Sequence, residues 1–185
     1  MKGRNLFKDT SHQKKSLDEP CVFISHRLAD LETARTVASY LTDTVAVNIY
    51  FSDGDEALQQ ADKEQDHQKI VAYIQQGLDL STHVLGIISN RTKGSWWVPF
   101  ELGYSWNRNI TVAQLLLEEV DELPSYLRIS KVLRDVDDFK KWIVKEKVGS
   151  KTNEEKALKA DLQNIPNVKQ YKYSYLKYTK QSVDF

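Results

Sequence analysis

Absences bound this chain before any motif does. Its 185 residues contain one cysteine, Cys21, which excludes a disulfide framework and a cysteine-based metal site. Set in the apolar run "CVFIS", that cysteine reads as a buried strand residue. Lysine plus arginine and aspartate plus glutamate number 26 each, for a formal net charge of zero. No global field therefore draws the chain to nucleic acid or to an anionic membrane. No apolar run approaches the roughly 18 residues needed to cross a bilayer, and the start, "MKGRNLFKDTSHQKKSLDEP", has no signal-peptide core. These features predict a cytoplasmic protein in a reducing compartment. Also missing are a P-loop, a dinucleotide-binding glycine fingerprint, a His-rich metal spacing and an internal repeat. The expectation is no metal and no resident cofactor.

What is present is a globular pattern. Hydrophobic residues make up 41% of the chain and charged residues 28%, too apolar for general disorder and enough for one domain with a true core. Residues 1–19 read as a flexible polar leader, 20–147 as the domain, and 148–185 as a polar C-terminal extension. "CVFIS" predicts a first strand buried on both faces. Leu31, Ala34, Val37, Ala38 and Leu41 form a helical stripe, with Asp30 as its N-cap. "VAVNIYF", 45–51, predicts a second strand. The acidic segment "SDGDEALQQADKEQD" then reads as a functional loop, and Ile70, Val71, Ile74 and Leu78 mark another helix, weakened by Gly77 near its end. "THVLGIIS", 82–89, and "ITVAQLLL", 110–117, predict two more strands, and "RISKVL", 128–133, a short fifth. Val136, Phe139 and Ile143 set the face of a last helix with an Asp-rich start. Strands alternating with helices define an α/β three-layer sandwich on a mostly parallel sheet.

In such sheets ligands bind beyond the carboxyl ends of the strands. Those positions are Ser25 and His26, Ser52 to Asp55, and Ser89 to Ser95. The stretch "SWWVPFELGYSW", 95–106, places three of the four tryptophans around Glu101. Trp97 and Glu101, four apart on a helix, share a face. An indole beside a carboxylate raises its pKa by desolvation and offers a stacking surface. On spacing alone the same pattern more often means a core anchor beside a surface charge, and a lone histidine after a strand, as His26 is, is more often a satisfied polar residue than a base. Lysines interleaved with Tyr171, Tyr173 and Tyr175 could stack on single-stranded nucleic acid; neutral overall charge favours a packed tail instead.

Taken in order, "FISH" with Asp30, "VNIYFSD", "VLGIIS" and "SWWVPFELG" resemble a Toll/interleukin-1 receptor (TIR) domain over about residues 20–147. The strongest element is Ser95, Trp97 and Glu101 in the pattern S-x-W-x-x-x-E. The resemblance implies a flavodoxin-like fold with about five strands. It also implies one of two functions, a signalling scaffold that only assembles or an enzyme that cleaves the nicotinamide–ribose bond of NAD. In the enzymes the matching glutamate is catalytic, so Glu101 is the expected catalytic residue and NAD the expected substrate rather than a cofactor. Ser25, His26, Asp30, Ser52, Asp53, Ser95 and Trp97 are the expected substrate-binding residues, and Trp96 competes with Trp97 for the pocket wall. The long acidic loop departs from the family pattern. A nearly stand-alone TIR chain is similar to bacterial antiphage defence proteins, including Thoeris-type systems, where an ADP-ribose-like product activates a separate effector. Self-association or pairing with other TIR domains is the further expectation. A generic nucleotide-binding or receiver-like domain lacks the clustered acidic strand ends that a phosphoacceptor needs.

Overall fold

The computed structural model describes residues 2–6, 19–52, 60–61, 63–95, 97–118, 120, 123–146, 148 and 165–169. Five strands, β1 (Cys21–Ser25), β2 (Asn48–Tyr50), β3 (His83–Ile88), β4 (Thr111–Leu116) and β5 (Lys131–Leu133), form one sheet in the order β2-β1-β3-β4-β5. Every neighbouring pair is parallel. The described residues include four α-helices: α1 (Leu31–Tyr40), α2 (His67–Asp79) and α3 (Trp97–Asn107) between strands, and α4 (Val136–Lys145) after β5. This is the flavodoxin-like α/β order, and the expected three-layer sandwich is observed.

Strand alternation explains the layers. In β1, Val22 and Ile24 join Leu85, Ile87, Ala113 and Leu115 beneath α1 and α4, where Val37, Leu41, Phe139 and Ile143 are buried. The intervening positions, Cys21, Phe23, Val84, Ile88, Val112 and Leu116, pack on the opposite side with Ile70, Ile74 and Leu78 of α2 and Val98 and Leu102 of α3. A side-chain period of two thus serves two cores, which is why the strands read as continuous apolar runs. Gly77 has a packing reason: a Cβ there would collide with the Tyr50 ring and crowd Phe23. Asp66 caps α2 by accepting from the Lys69 amide at 3.0 Å, and Asp135 caps α4 by accepting from the Asp138 amide at 2.8 Å.

Some boundaries differ from expectation. Leu41–Val45 continue α1 as a π-helical turn, and Ala46 closes it in the left-handed region at φ 57°. The second strand is therefore only Asn48–Tyr50, not 45–51, because the helical turn takes in Val45 and the left-handed Ala46 interrupts the extended run. Likewise Arg128 and Ile129 belong to a 3-10 turn, Ser125–Ile129, and the fifth strand starts at Lys131. In the polar leader, residues 2–6 lie along the free edge of β2. The Ile49 amide donates to the Arg4 carbonyl at 2.9 Å, and the Asn5 side chain exchanges hydrogen bonds with Phe51 at 2.8 and 3.1 Å. From the C-terminal extension, Ile165 and Val168 enter the α1/α4 core, and the Glu118 amide donates to the Asn167 carbonyl at 2.7 Å. Tyr171, Tyr173, Tyr175, Trp96 and Asp53 lie outside the described residues. Among the described residues no helix is long and apolar enough to cross a membrane.

Candidate functional site

The strand order changes direction between β1 and β3, and their carboxyl ends open a crevice there. Ser25 ends β1, Ser89 follows β3, and both are buried. After Ser89 a 3-10 turn, Asn90–Gly94, is locked by a reciprocal capping box: the Ser89 amide donates to Thr92 Oγ1 at 3.0 Å, and Ser89 Oγ accepts from backbone amides of the turn. The turn delivers the chain to α3, whose first residues are tied back when the Val98 amide donates to Ser95 Oγ at 3.3 Å. Pro99 sits in the first turn, where it forfeits no helical hydrogen bond.

Glu101 lies one turn into α3 and is only 8% exposed. Ser25 Oγ donates a short hydrogen bond to Glu101 Oε2, joining the end of β1 to the helix after β3. Burial pushes the Glu101 carboxyl up from 4.5 to about 7, and the Ser25 bond opposes that rise without cancelling it. Ser105 Oγ donates to the Glu101 carbonyl at 2.6 Å, fixing the backbone beneath. The carboxyl is thus held in one place and is balanced between acid and base near neutral pH.

Trp97 is half-buried beside this carboxyl's helix, and its ring meets Phe100 edge-on at 6.2 Å, with Tyr104 next in line at 6.3 Å from Phe100. It is an aromatic wall along α3. His26 donates from Nδ1 to the Ile24 carbonyl at 3.4 Å and lays its ring on Phe51 at 5.0 Å, so it bridges β1 to the end of β2, where Ser52 follows.

Asp30 departs from its expected role. It occupies the N-cap position of α1 but makes no capping hydrogen bond. Its buried carboxylate instead crosses to the β3 side, accepting from Ser89 Oγ at 2.7 Å and from Arg91 Nη2 at 2.8 Å. A buried carboxylate needs such partners more than a helix end, open to water, needs a cap. Arg27 completes the link by donating from Nη1 to the Arg91 carbonyl at 2.7 Å. Neither arginine was singled out, although Arg91 lies within the Ser89–Ser95 segment expected at the ligand-binding edge. Asp30 was the available signal: an acid just past a buried strand requires a cation, and the turn after the neighbouring strand carries Arg91.

Serine hydroxyls, a carboxyl near neutral pKa and two guanidinium groups therefore gather at the carboxyl ends of β1 and β3, with Trp97 at the start of the helix that carries the carboxyl. Such a set suits an anionic, ring-bearing substrate. An apolar cleft adjoins it beyond Ser89, between Ile88 and Thr92 on one side and Val120, Pro124 and Tyr126 on the other. That cleft is lined by neither Ser25 nor Glu101. Among the described residues no three His, Cys, Asp or Glu side chains converge as a metal site.

A parallel sheet in this order, with a motif glutamate on the helix after β3, defines the TIR-like class of α/β domains. The family model described as Thoeris protein ThsB, TIR-like domain, matches residues 23–122, and the chain belongs to that family. The match runs from β1 through β4 and takes in Ser25, Asp30, Ser89, Arg91 and Glu101. No curated protein matches the chain.

Proposed function

We propose that this TIR domain cleaves the nicotinamide–ribose bond of NAD and acts in Thoeris-type antiphage defence by producing an ADP-ribose-type signal. One observation carries the reading: the motif glutamate is a buried carboxyl, positioned by Ser25, at the crevice where α/β sheets bind ligands. Cleavage breaks the C1′–N bond, and its electron pair leaves with nicotinamide as a neutral base. The positive charge left on the ribose is oxocarbenium-like, and a fixed carboxylate in a low-dielectric site stabilises it. Glu101 fills that role in its ionised form. Water, or a nucleophile from the adenosine end, then adds at C1′ to give a linear or cyclic product. Trp97 and Ser95 form the ring-side wall, and Ser25, His26 and Ser52 lie on the ribose and nicotinamide side. Asp30 acts indirectly by holding Arg91 toward the pyrophosphate.

A second reading is a non-catalytic scaffold that works through association with other TIR domains. It draws on the burial of Glu101 and its bond to Ser25, which leave the carboxyl little exposed. On the catalytic reading, substrate entry or self-association opens this contact. Nicotinamide release from NAD, followed for the protein and for Glu101→Gln, separates the two: release that the variant loses supports the enzyme, and equal release by both sinks Glu101 as the reacting carboxylate. Chromatography of the products distinguishes linear from cyclic ADP-ribose. Addition of the products to a candidate effector tests the signalling step.

A further inference from the structure

Gln114 stands apart in β4. The residues around it, Val112, Ala113, Leu115 and Leu116, are apolar, yet Gln114 is fully buried. Its Nε2 donates to Ser130 Oγ at 3.2 Å, while its Oε1 has no hydrogen-bond partner among the described residues. Ser130 fixes this orientation, because its own hydroxyl hydrogen goes to the Leu127 carbonyl at 3.2 Å and leaves the oxygen as acceptor. A leucine at this position would leave no buried carbonyl unsatisfied.

Sheet register shows where that oxygen sits. Ser25, Gly86 and Gln114 are paired in one row across β1, β3 and β4, so they present one face. It is the face covered by α3, since Phe23, Val84 and Val112, each two residues earlier, pack with Val98 and Leu102. Gly86 leaves a gap in the row, and Gln114 Oε1 occupies it; a Cβ on Gly86 would collide with that oxygen. One strand spacing of about 4.8 Å then separates the gap from the strand of Ser25. The amide oxygen therefore faces the Ser25 position from the neighbouring strand, in the same row, with no hydrogen bond to Ser25 while that hydroxyl donates to Glu101.

We propose that Gln114 is a positioning residue for Glu101, acting through Ser25 as the acceptor of the Ser25 hydroxyl hydrogen whenever Glu101 is protonated. The hydrogens balance in both states. With Glu101 ionised there is one, and Ser25 donates it to the carboxylate. With Glu101 protonated there are two: Glu101 donates to Ser25 Oγ, and the Ser25 hydroxyl turns to Gln114 Oε1. The amide oxygen thus favours the neutral acid and gives the carboxyl a second resting partner. Charged and titratable groups on the surrounding elements are Cys21, His26, Arg27 and Asp30 along β1 and its loop, His83 in β3 and Arg91 after it, His67, Lys69, Tyr73 and Asp79 on α2, and Tyr104 on α3. Asp30 is bound to Arg91, and Asp79 to Arg108. Burial and Ser25 set the Glu101 equilibrium.

The inference deepens the reading of Glu101 as the reacting group, but its test does not require activity. Carbon-13 NMR of labelled glutamate, with Glu101→Gln to assign the resonance, gives the Glu101 midpoint in the protein and in Gln114→Leu. One hydrogen bond to the neutral form, converted at roughly 1.4 kcal/mol per pH unit, lowers the midpoint by about half to one pH unit when it is removed. Gln114→Met serves if the leucine variant does not fold. An unchanged or raised midpoint in a folded variant overturns the proposal, whether or not the protein cleaves NAD. A lowered midpoint with no NAD cleavage upholds the linkage and counts against the catalytic reading alone.

Discussion

Replacing Glu101 with glutamine removes a buried ionisable group while keeping an acceptor for the Ser25 hydroxyl. In the folded protein the carboxyl is pushed up to about 7 from 4.5. The native state therefore holds this proton more tightly than the unfolded chain does. Its stabilising effect is fully present below pH 4.5 and is lost as pH rises to about 7. At roughly 1.4 kcal/mol per pH unit, the ionised carboxyl costs the fold about 3 kcal/mol above neutrality. Urea unfolding of the protein and of Glu101→Gln between pH 4 and pH 8.5 reads this directly. His83, held below its ordinary value by burial, titrates in both proteins and cancels in the comparison. The variant gains relative stability as pH rises, reaching about 3 kcal/mol, or about 6–12 °C in Tm for a chain of this size. A stability difference that stays flat across this pH range would refute a buried, high-pKa Glu101.

Three further predictions concern the frame around the site. Gly77→Ala forces a methyl group into the Tyr50 ring, and chemical denaturation should show a loss of about 1–3 kcal/mol. Arg91→Met leaves the buried Asp30 carboxylate with Ser89 alone; about 1–3 kcal/mol of stability should be lost, and Asp30→Asn in the same chain should recover part of it. Deleting residues 1–6 uncovers the β2 edge where the Ile49 amide meets Arg4. Hydrogen exchange at Ile49 should then accelerate, and sedimentation should show more self-association through the open edge.

Sequence pattern revealed the layers because each strand carries two interleaved apolar rows, and their sum is an unmistakable apolar run. It failed where local preference and tertiary structure disagree. Val45 looks β-prone, but burial of Leu41 and Val45 in the α1 core keeps it in a helical ending that Ala46 closes. Position at a strand end pointed to Ser25, while Glu101 was legible from its S-x-W-x-x-x-E pattern together with its place on the helix after the third strand. Side-chain pairing was less legible. Asp30 looks like a cap, and only its burial against Ser89 and Arg91 shows that it ties two loops together. Gln114 passed unnoticed inside "ITVAQLLL" because a lone polar residue in an apolar run carries no signal until register places it beside Gly86 and Ser25.

The most direct test is nicotinamide release from NAD by the full chain, measured at pH 7.5–8.5 where Glu101 is ionised, beside Glu101→Gln. Release by the protein that falls at least about 100-fold in a folded variant is the expected result, the scale of losing one preorganised charge stabiliser. Equal release by both proteins would contradict Glu101 as the carboxylate that stabilises the ribosyl cation.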